Sequence, residues 1–370
     1  MTSRRQFLLR GAAATAAALA PDLLLAAARK QTPPAPDLSS WNAVRAQFDL
    51  APGWIHLSSF YIASHPKPVR EAIEGFRRAL DANPYLEVEH RWFSDPPDNL
   101  QLAIREEIAP YLGAKAEEIA LTNSTTQGLG LVYNGLPLKP GDDVLTTTHD
   151  HYAQHESIRF ACERTNATTR RIALYEDPAR ATLDDIVRRL RDAIRLETRV
   201  LGLTWVHSCT GVRLPIRAIA DMVAEVNLRR NERDRVRMIV DGAHGLGAVD
   251  EAVAALGCDY FCAGTHKWMH GPRGTGIVWA RADEWARLNA LAAIPVRVVT
   301  PLDPRLSAGI LCFEIGAMKA DEIGKQLVAR KIVAGASPYL PSYARFSPGV
   351  MNTPEEVDAA VQAVKEIARG

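Results

Sequence analysis

With 370 residues and a formal net charge of +1, the chain lacks the basic surplus that nucleic-acid binding requires. Its 47% hydrophobic and 24% charged residues form an ordinary globular balance, which excludes bulk disorder and leaves room for one large domain and a smaller one. The N-terminus departs from that balance. Ser3-Arg4-Arg5-Gln6-Phe7-Leu8-Leu9 precedes an alanine- and leucine-rich run over residues 11–20, and Ala26-Ala27-Ala28 offers small residues for cleavage. This order predicts a twin-arginine export signal over residues 1–28 and a periplasmic protein. The apolar run is too short and too rich in alanine for a stable membrane anchor, and its competing reading is an uncleaved N-terminal helix.

Residues 29–53, with a proline-rich stretch at 31–39, are expected to be a linker and N-terminal segment. From Trp54 onward, strand-like and helix-like segments alternate. Helical spacing of apolar residues covers 68–82 and 98–112. Short apolar runs follow at 119–122, 143–148, 200–206, 236–240, 260–263 and 276–280, with amphipathic stretches such as 183–196 and 216–229 between them. The alternation predicts an α/β fold: a mostly parallel sheet with helices on both faces over 54–290. Residues 291–370, with two or three strands and a helix over 354–368, are expected to form a small C-terminal α/β domain. The five cysteines, Cys162, Cys209, Cys258, Cys262 and Cys312, are odd in number and irregular in spacing, so buried reduced thiols are expected rather than disulfides.

Ligands of such sheets bind beyond the C-terminal strand ends, and the chemically distinctive residues all follow strand-like runs. Ile239-Val240 delivers Asp241 to a strand end, and the next run ends in Gly264-Thr265-His266-Lys267-Trp268. A lysine that can form a Schiff base and a carboxylate that can hold a pyridinium nitrogen protonated are what pyridoxal phosphate (PLP) requires. At Asn123-Ser124-Thr125-Thr126, a turn into a helix can either cap that helix or leave its first N–H groups for a phosphate. His149, His151 and His155 admit three readings: an imidazole stacked on a cofactor ring, for which His151 is placed, a metal site, or a solvated helix start. Ser208 and His244 can each hydrogen-bond a phenolic oxygen or a local backbone group.

Together these residues resemble the class V aminotransferase superfamily of PLP fold type I, and within it the isopenicillin N epimerase-like subgroup. The resemblance rests on Asp-Gly-Ala-His at 241–244, His-Ser-Cys-Thr-Gly at 207–211 with Leu214-Pro215, and the glycine-rich run 266–276. Asn-Ser-Thr-Thr-Gln-Gly at 123–128 and the segment 345–358 complete it. It covers the chain from about Trp54 to the end and implies Lys267 as the Schiff-base lysine, Asp241 at the ring nitrogen and His151 on the ring. Thr125, Thr126 and His266 would hold the phosphate, and Arg345 would grip a substrate carboxylate. Implied with them are an amino-acid-like substrate, an epimerase, lyase or transaminase outcome, and a homodimer. Residues 332–337 read Ile-Val-Ala-Gly-Ala-Ser, without the cysteine that a desulfurase carries shortly before its carboxylate-binding arginine. The run after Arg281 is shorter than in relatives, so a catalytically impaired relative is the alternative expectation. A His-cluster metalloprotein ranks below both.

Overall fold

The computed structural model describes residues 36–92, 98–285, 288, 296–298, 311–332, 334–337, 341–346 and 353–369. The expected export signal lies outside them. The chain opens with α1 (Trp41–Arg45), begun by the Ser40 hydroxyl accepting the Ala43 N–H, then α2 (Lys67–Ala82) and α3 (Pro84–Trp92). α4 (Leu100–Leu112) is capped by Asn99 and ends at Gly113, which takes the left-handed φ of 66° that glycine adopts without strain.

Next come β1 (Ile119–Thr122), α5 (Thr125–Gly135), β2 (Asp143–Thr147), α6 (Tyr152–Thr165), β3 (Thr168–Ile172) and α7 (Leu183–Ala193). They are followed by β4 (Thr198–Thr204), α8 (Ile216–Asn227), β5 (Arg237–Asp241), β6 (Tyr260–Gly264) and β7 (Gly276–Ala280). The seven strands form one sheet in the order β1-β7-β6-β5-β4-β2-β3, with β7 antiparallel to both neighbours and the other pairings parallel. The expected mostly parallel sheet is therefore present. β3, with its sequence Thr-Thr-Arg-Arg-Ile, carries no apolar alternation and was not anticipated; it is an edge strand, where charge is tolerated. β4 ends at Thr204 rather than Val206, because Val206 leaves the sheet to bridge Arg213.

Alternate strand residues feed two apolar layers. Leu201, Leu203, Met238 and Val240 pack with Leu112, Ile186, Leu190 and Ile219 on one face. Val200 and Ile239 pack with Leu129, Val132, Tyr133 and Ile158 on the other. Helices thus cover both faces, and residues at strand C-termini open toward one end.

After β7 a short α9 (Ala282–Trp285) leads to a second sheet. It comprises β8 (Val296–Val298), β9 (Leu311–Ile315), β10 (Gly335–Ala336) and β11 (Ala344–Phe346), all antiparallel in the order β10-β11-β9-β8, with α10 (Ala320–Ala329) between β9 and β10. α11 (Pro354–Arg369) completes its core, where Phe313, Ile323, Leu327, Val364 and Ile367 meet. Among the described residues no helix is long and apolar enough to cross a membrane. All five cysteines are free thiols, but only Cys162, Cys258 and Cys262 are buried; Cys312 is half-buried and Cys209 exposed, which corrects the expectation for those two. Cys209 stands in a turn after β4, not on a strand.

Gly242, directly after β5, shows how tightly the strand ends are packed, since a Cβ there would overlap the Phe261 ring. Gly242→Ala is expected to destabilise the chain by about 1–3 kcal/mol through overpacking, read from the urea denaturation midpoint.

Candidate active site

At the C-terminal ends of β4, β5 and β6 lies a cavity of about 120 Å3. It is lined by Asp241, His244 and Lys267, by His151 and Ser208, and by Thr125, Thr126 and His266, together with Ser124 from the same turn. The sheet brings these residues together from segments far apart in sequence. Arg345 is not among the lining residues. It stands on β11 of the second sheet, opposite Gly335 and Cys312.

Asp241 is the last residue of the fully buried β5 and is 2% exposed. Its Oδ1 accepts the Ala243 N–H at 2.9 Å. Burial pushes its pKa up to about 6; the Ala243 hydrogen bond opposes the rise, the Asp150 charge adds to it and Lys267 opposes it. Lys267 follows β6 by three residues and is half-buried. Desolvation lowers its pKa against the pull of Asp241. Its Nζ lies 3.3 Å from His244 Nε2, and Trp268 Nε1–H donates to His244 Nδ1 at 3.3 Å. That donation places the His244 proton on Nε2, facing Lys267, an arrangement satisfied when the lysine is a neutral amine that accepts. Burial, then Lys267 and His151, lower the His244 pKa to about 4, so this imidazole is neutral over the physiological range.

The turn before α5 is built for an anion. Ser124 caps the helix by accepting the Gln127 N–H, while Thr125 and Thr126 occupy the first turn, where backbone N–H groups have no intrahelical acceptor. Thr125 Oγ1 accepts the Gly264 N–H at 2.7 Å and so locks this turn to the end of β6, two residues before His266. His151 is itself the N-cap of α6, its Nδ1 accepting the Ala153 N–H at 3.2 Å. Burial first, then Lys267 and His155, lower its pKa. Its ring is therefore held neutral at the cavity wall.

The three histidines of the 149–155 run have separate tasks. His149 Nε2 accepts the Leu174 N–H at 3.1 Å and its ring stacks on Tyr175 at 3.9 Å. His155 Nε2 pairs with the Thr147 carbonyl at 2.8 Å. Nitrogens spent this way do not converge on an ion, and among the described residues no group of three or more His, Cys, Asp or Glu side chains could hold a metal. The metalloprotein reading has no geometric support.

One residue of weight follows a strand-like run in the sequence but received no role from it. Asp150, 7% exposed, ties β2 to β4: its Oδ2 accepts from Thr146 Oγ1 at 2.8 Å and the Thr147 N–H at 2.7 Å, and its Oδ1 accepts the Thr204 N–H at 2.7 Å. The available signal was a lone carboxylate just beyond an apolar strand, where free N–H groups need an acceptor. Beside it, His207 Nδ1 and Thr210 Oγ1 both meet the Tyr175 hydroxyl, at 2.7 and 2.9 Å, which fixes the turn carrying Ser208.

A seven-stranded sheet with an acid–lysine pair and an anion-ready helix start at one end is the architecture of PLP fold type I. The chain belongs to the aminotransferase class-V family, whose pattern matches residues 62–293. PLP, the cofactor expected from Asp241 and Lys267, is the cofactor of this class. Isopenicillin N epimerase of Amycolatopsis lactamdurans is 28% identical over 248 residues, 66% of this chain and 58% of that protein. A cysteine desulfurase of Klebsiella pneumoniae is 31% identical over 186 residues, 49% of this chain and 42% of that one. The chain spans about half the length of the curated relatives it matches. The C-DES mutant with glycine covalently linked to its PLP cofactor shares the fold with a TM-score of 0.57 at 18% identity, over 87% of this chain and 99% of that one. The cysteine desulfurase of Thermococcus onnurineus NA1 aligns with a TM-score of 0.55 at 18% identity, over 89% and 98%.

Two outcomes follow from the buried carboxylates. The folded chain holds the Asp241 proton more tightly than the unfolded chain, whose carboxyl keeps its ordinary value of 3.8. That stabilisation is complete below about pH 4 and is lost as the pH rises through about 6; above it the buried charge costs about 3 kcal/mol. Asp241→Asn is therefore expected to stabilise the cofactor-free chain by about 2–3 kcal/mol near pH 8, with the gain vanishing toward pH 4 in urea titrations. Asp150→Ala is expected to cost about 3 kcal/mol, because three buried hydrogen-bond donors lose their shared acceptor.

Proposed function

We propose that this chain is a PLP-dependent enzyme acting at Cα of an amino acid or amino-acid-like substrate, with an epimerase, lyase or transaminase outcome of the isopenicillin N epimerase-like kind. The observation that carries this reading is the placement of a buried Asp241 and a desolvated Lys267 in one cavity beside the first turn of α5. PLP would supply the electron sink that stabilises the charge left when a Cα bond breaks. Asp241 would hold the proton on the ring nitrogen, and Ser208 and His244 would donate to the phenolic oxygen. Thr125, Thr126 and His266, with the free helix N–H groups, would bind the phosphate, and His151 would cover one face of the ring. Lys267 would be the base that takes the α-proton, a role favoured by its lowered pKa. Arg345, on β11, would grip the substrate carboxylate. No persulfide chemistry is proposed, since residues 332–337 contain no cysteine.

Export through the twin-arginine route and a periplasmic location belong to the same proposal, supported by Arg4-Arg5 and the apolar run behind them. That route carries folded proteins, which suits an enzyme that acquires its cofactor in the cytoplasm. We also propose a homodimer. Trp54, Ile55, Leu57, Phe60 and Tyr61 are all more than half exposed in one continuous segment, and Ala63 at its end donates to the His266 carbonyl beside Lys267. The partner that suits such an apolar strip is a second copy of the chain.

A second reading, a relative that keeps the fold without turnover, is favoured by the short run between β7 and β8. Adding PLP to the purified chain separates the two. A visible absorption band that Lys267→Ala abolishes, together with exchange of an amino acid α-proton for solvent deuterium, is the expected result. A band without exchange over a panel of amino acids establishes the second reading, and no band at all refutes the first.

A further inference from the structure

Among the described residues, the buried polar atoms without a hydrogen-bond partner include Tyr133 Oη, Gln154 Nε2 and Oε1, and Thr204 Oγ1. Tyr133 and Gln154 are 0% exposed and Thr204 is 2% exposed. An unpaired buried group of this kind is destabilising, so native folds supply such groups with a partner.

Strand alternation places them together. Val200, Gly202 and Thr204 share one face of β4, and Ile239 and Asp241 share one face of β5. Val200 and Ile239 pack under α5 and α6, so Thr204 and Asp241 face the same helices. Thr204 and Asp241 are direct partners in the β4–β5 register, and both line the cavity. Tyr133 reaches in from α5: a Cβ on Gly202 would overlap its hydroxyl and stand 3.3 Å from Ile158 Cδ1. Gln154 lies one turn before Ile158 on α6. Since α6 returns against the direction of the parallel strands, that turn carries Gln154 from above Gly202 toward Thr204.

Asp241 has acceptor capacity to spare. The Ala243 N–H is the one protein donor to its carboxylate among the described residues, whereas a carboxylate offers about four acceptor positions. The titratable groups around it are Lys267 and His244 in the cavity, Asp150 at the end of β2, Cys262 on β6 and Tyr133 on α5. Asp150 has its oxygens occupied by β2 and β4, and its charge works against an ionised neighbour. Three neutral side chains that both donate and accept match a small neutral ligand that does the same.

We propose that Tyr133, Gln154 and Thr204 form a cradle for ordered water against the Asp241 carboxylate, and that they act as positioning residues for that carboxylate. The water turns their otherwise unpaired groups into donors for Asp241, which offsets part of the desolvation that favours its neutral form. An ionised Asp241 is the state the proposed function needs, but the cradle is made by the chain alone. Its test is therefore run without cofactor and succeeds or fails independently of PLP binding.

In crystals of the full chain that diffract well enough to show solvent, water is expected within hydrogen-bond distance of Asp241 and of the Gln154 amide or the Thr204 or Tyr133 hydroxyl. Gln154→Leu and, separately, the near-isosteric Thr204→Val are expected to displace it. Each should raise the pH at which Asp241 takes up its proton by about one unit, a tenfold tighter proton, read as the stability difference from the matching Asp241→Asn variant. A dry site in which the three side chains pair with one another overturns the proposal, as does a midpoint that stays in place in both variants.

Discussion

The electrostatics of this chain turn on one carboxylate held almost out of water at the end of a strand. β5 is buried along its whole length, and Asp241 is the point at which that apolar run meets the cavity. Water would solvate an aspartate freely. Here desolvation raises the cost of its charge while the same low dielectric strengthens its attraction to any nearby proton or cation. A buried acid of this kind suits a lasting ion pair with a protonated ring nitrogen. The same desolvation pushes Lys267 toward the neutral amine, so one physical cause prepares both partners in opposite directions.

Holding the pair in place requires segments that are remote in sequence. The Thr125 hydroxyl fastens the first turn of α5 to Gly264, and Asp150 fastens the end of β2 to Thr204 at the end of β4. Both contacts join a side chain to a backbone N–H at a strand end, where the sheet has no further acceptor to offer. The imidazoles in the site are held neutral, His151 as the cap of α6 and His244 between Trp268 and Lys267.

Much of this was legible in the chain itself. The runs of β5, β6 and β7 stand out because these strands are buried along their whole length and are largely apolar. β3 was not legible, since an edge strand with two arginines has no apolar period. The antiparallel direction of β7 was not legible either, because direction is set by how the chain returns after the loop behind Lys267. Asp241, Lys267, Thr125 and His151 could be singled out because their residue types follow apolar runs. The role of Asp150 could not, since its donors come from β2 and β4 and meet only in the folded sheet.

Sequence alone determined the residue types at the strand ends, and with them the cofactor chemistry and the family, because chemistry is carried by local motifs at fixed spacing. Tertiary structure alone decided which of those residues share a cavity. It gathered eight of the nine expected site residues there and left Arg345 on a separate sheet. It also decided their protonation, since desolvation is a property of the packed surroundings that no residue possesses by itself.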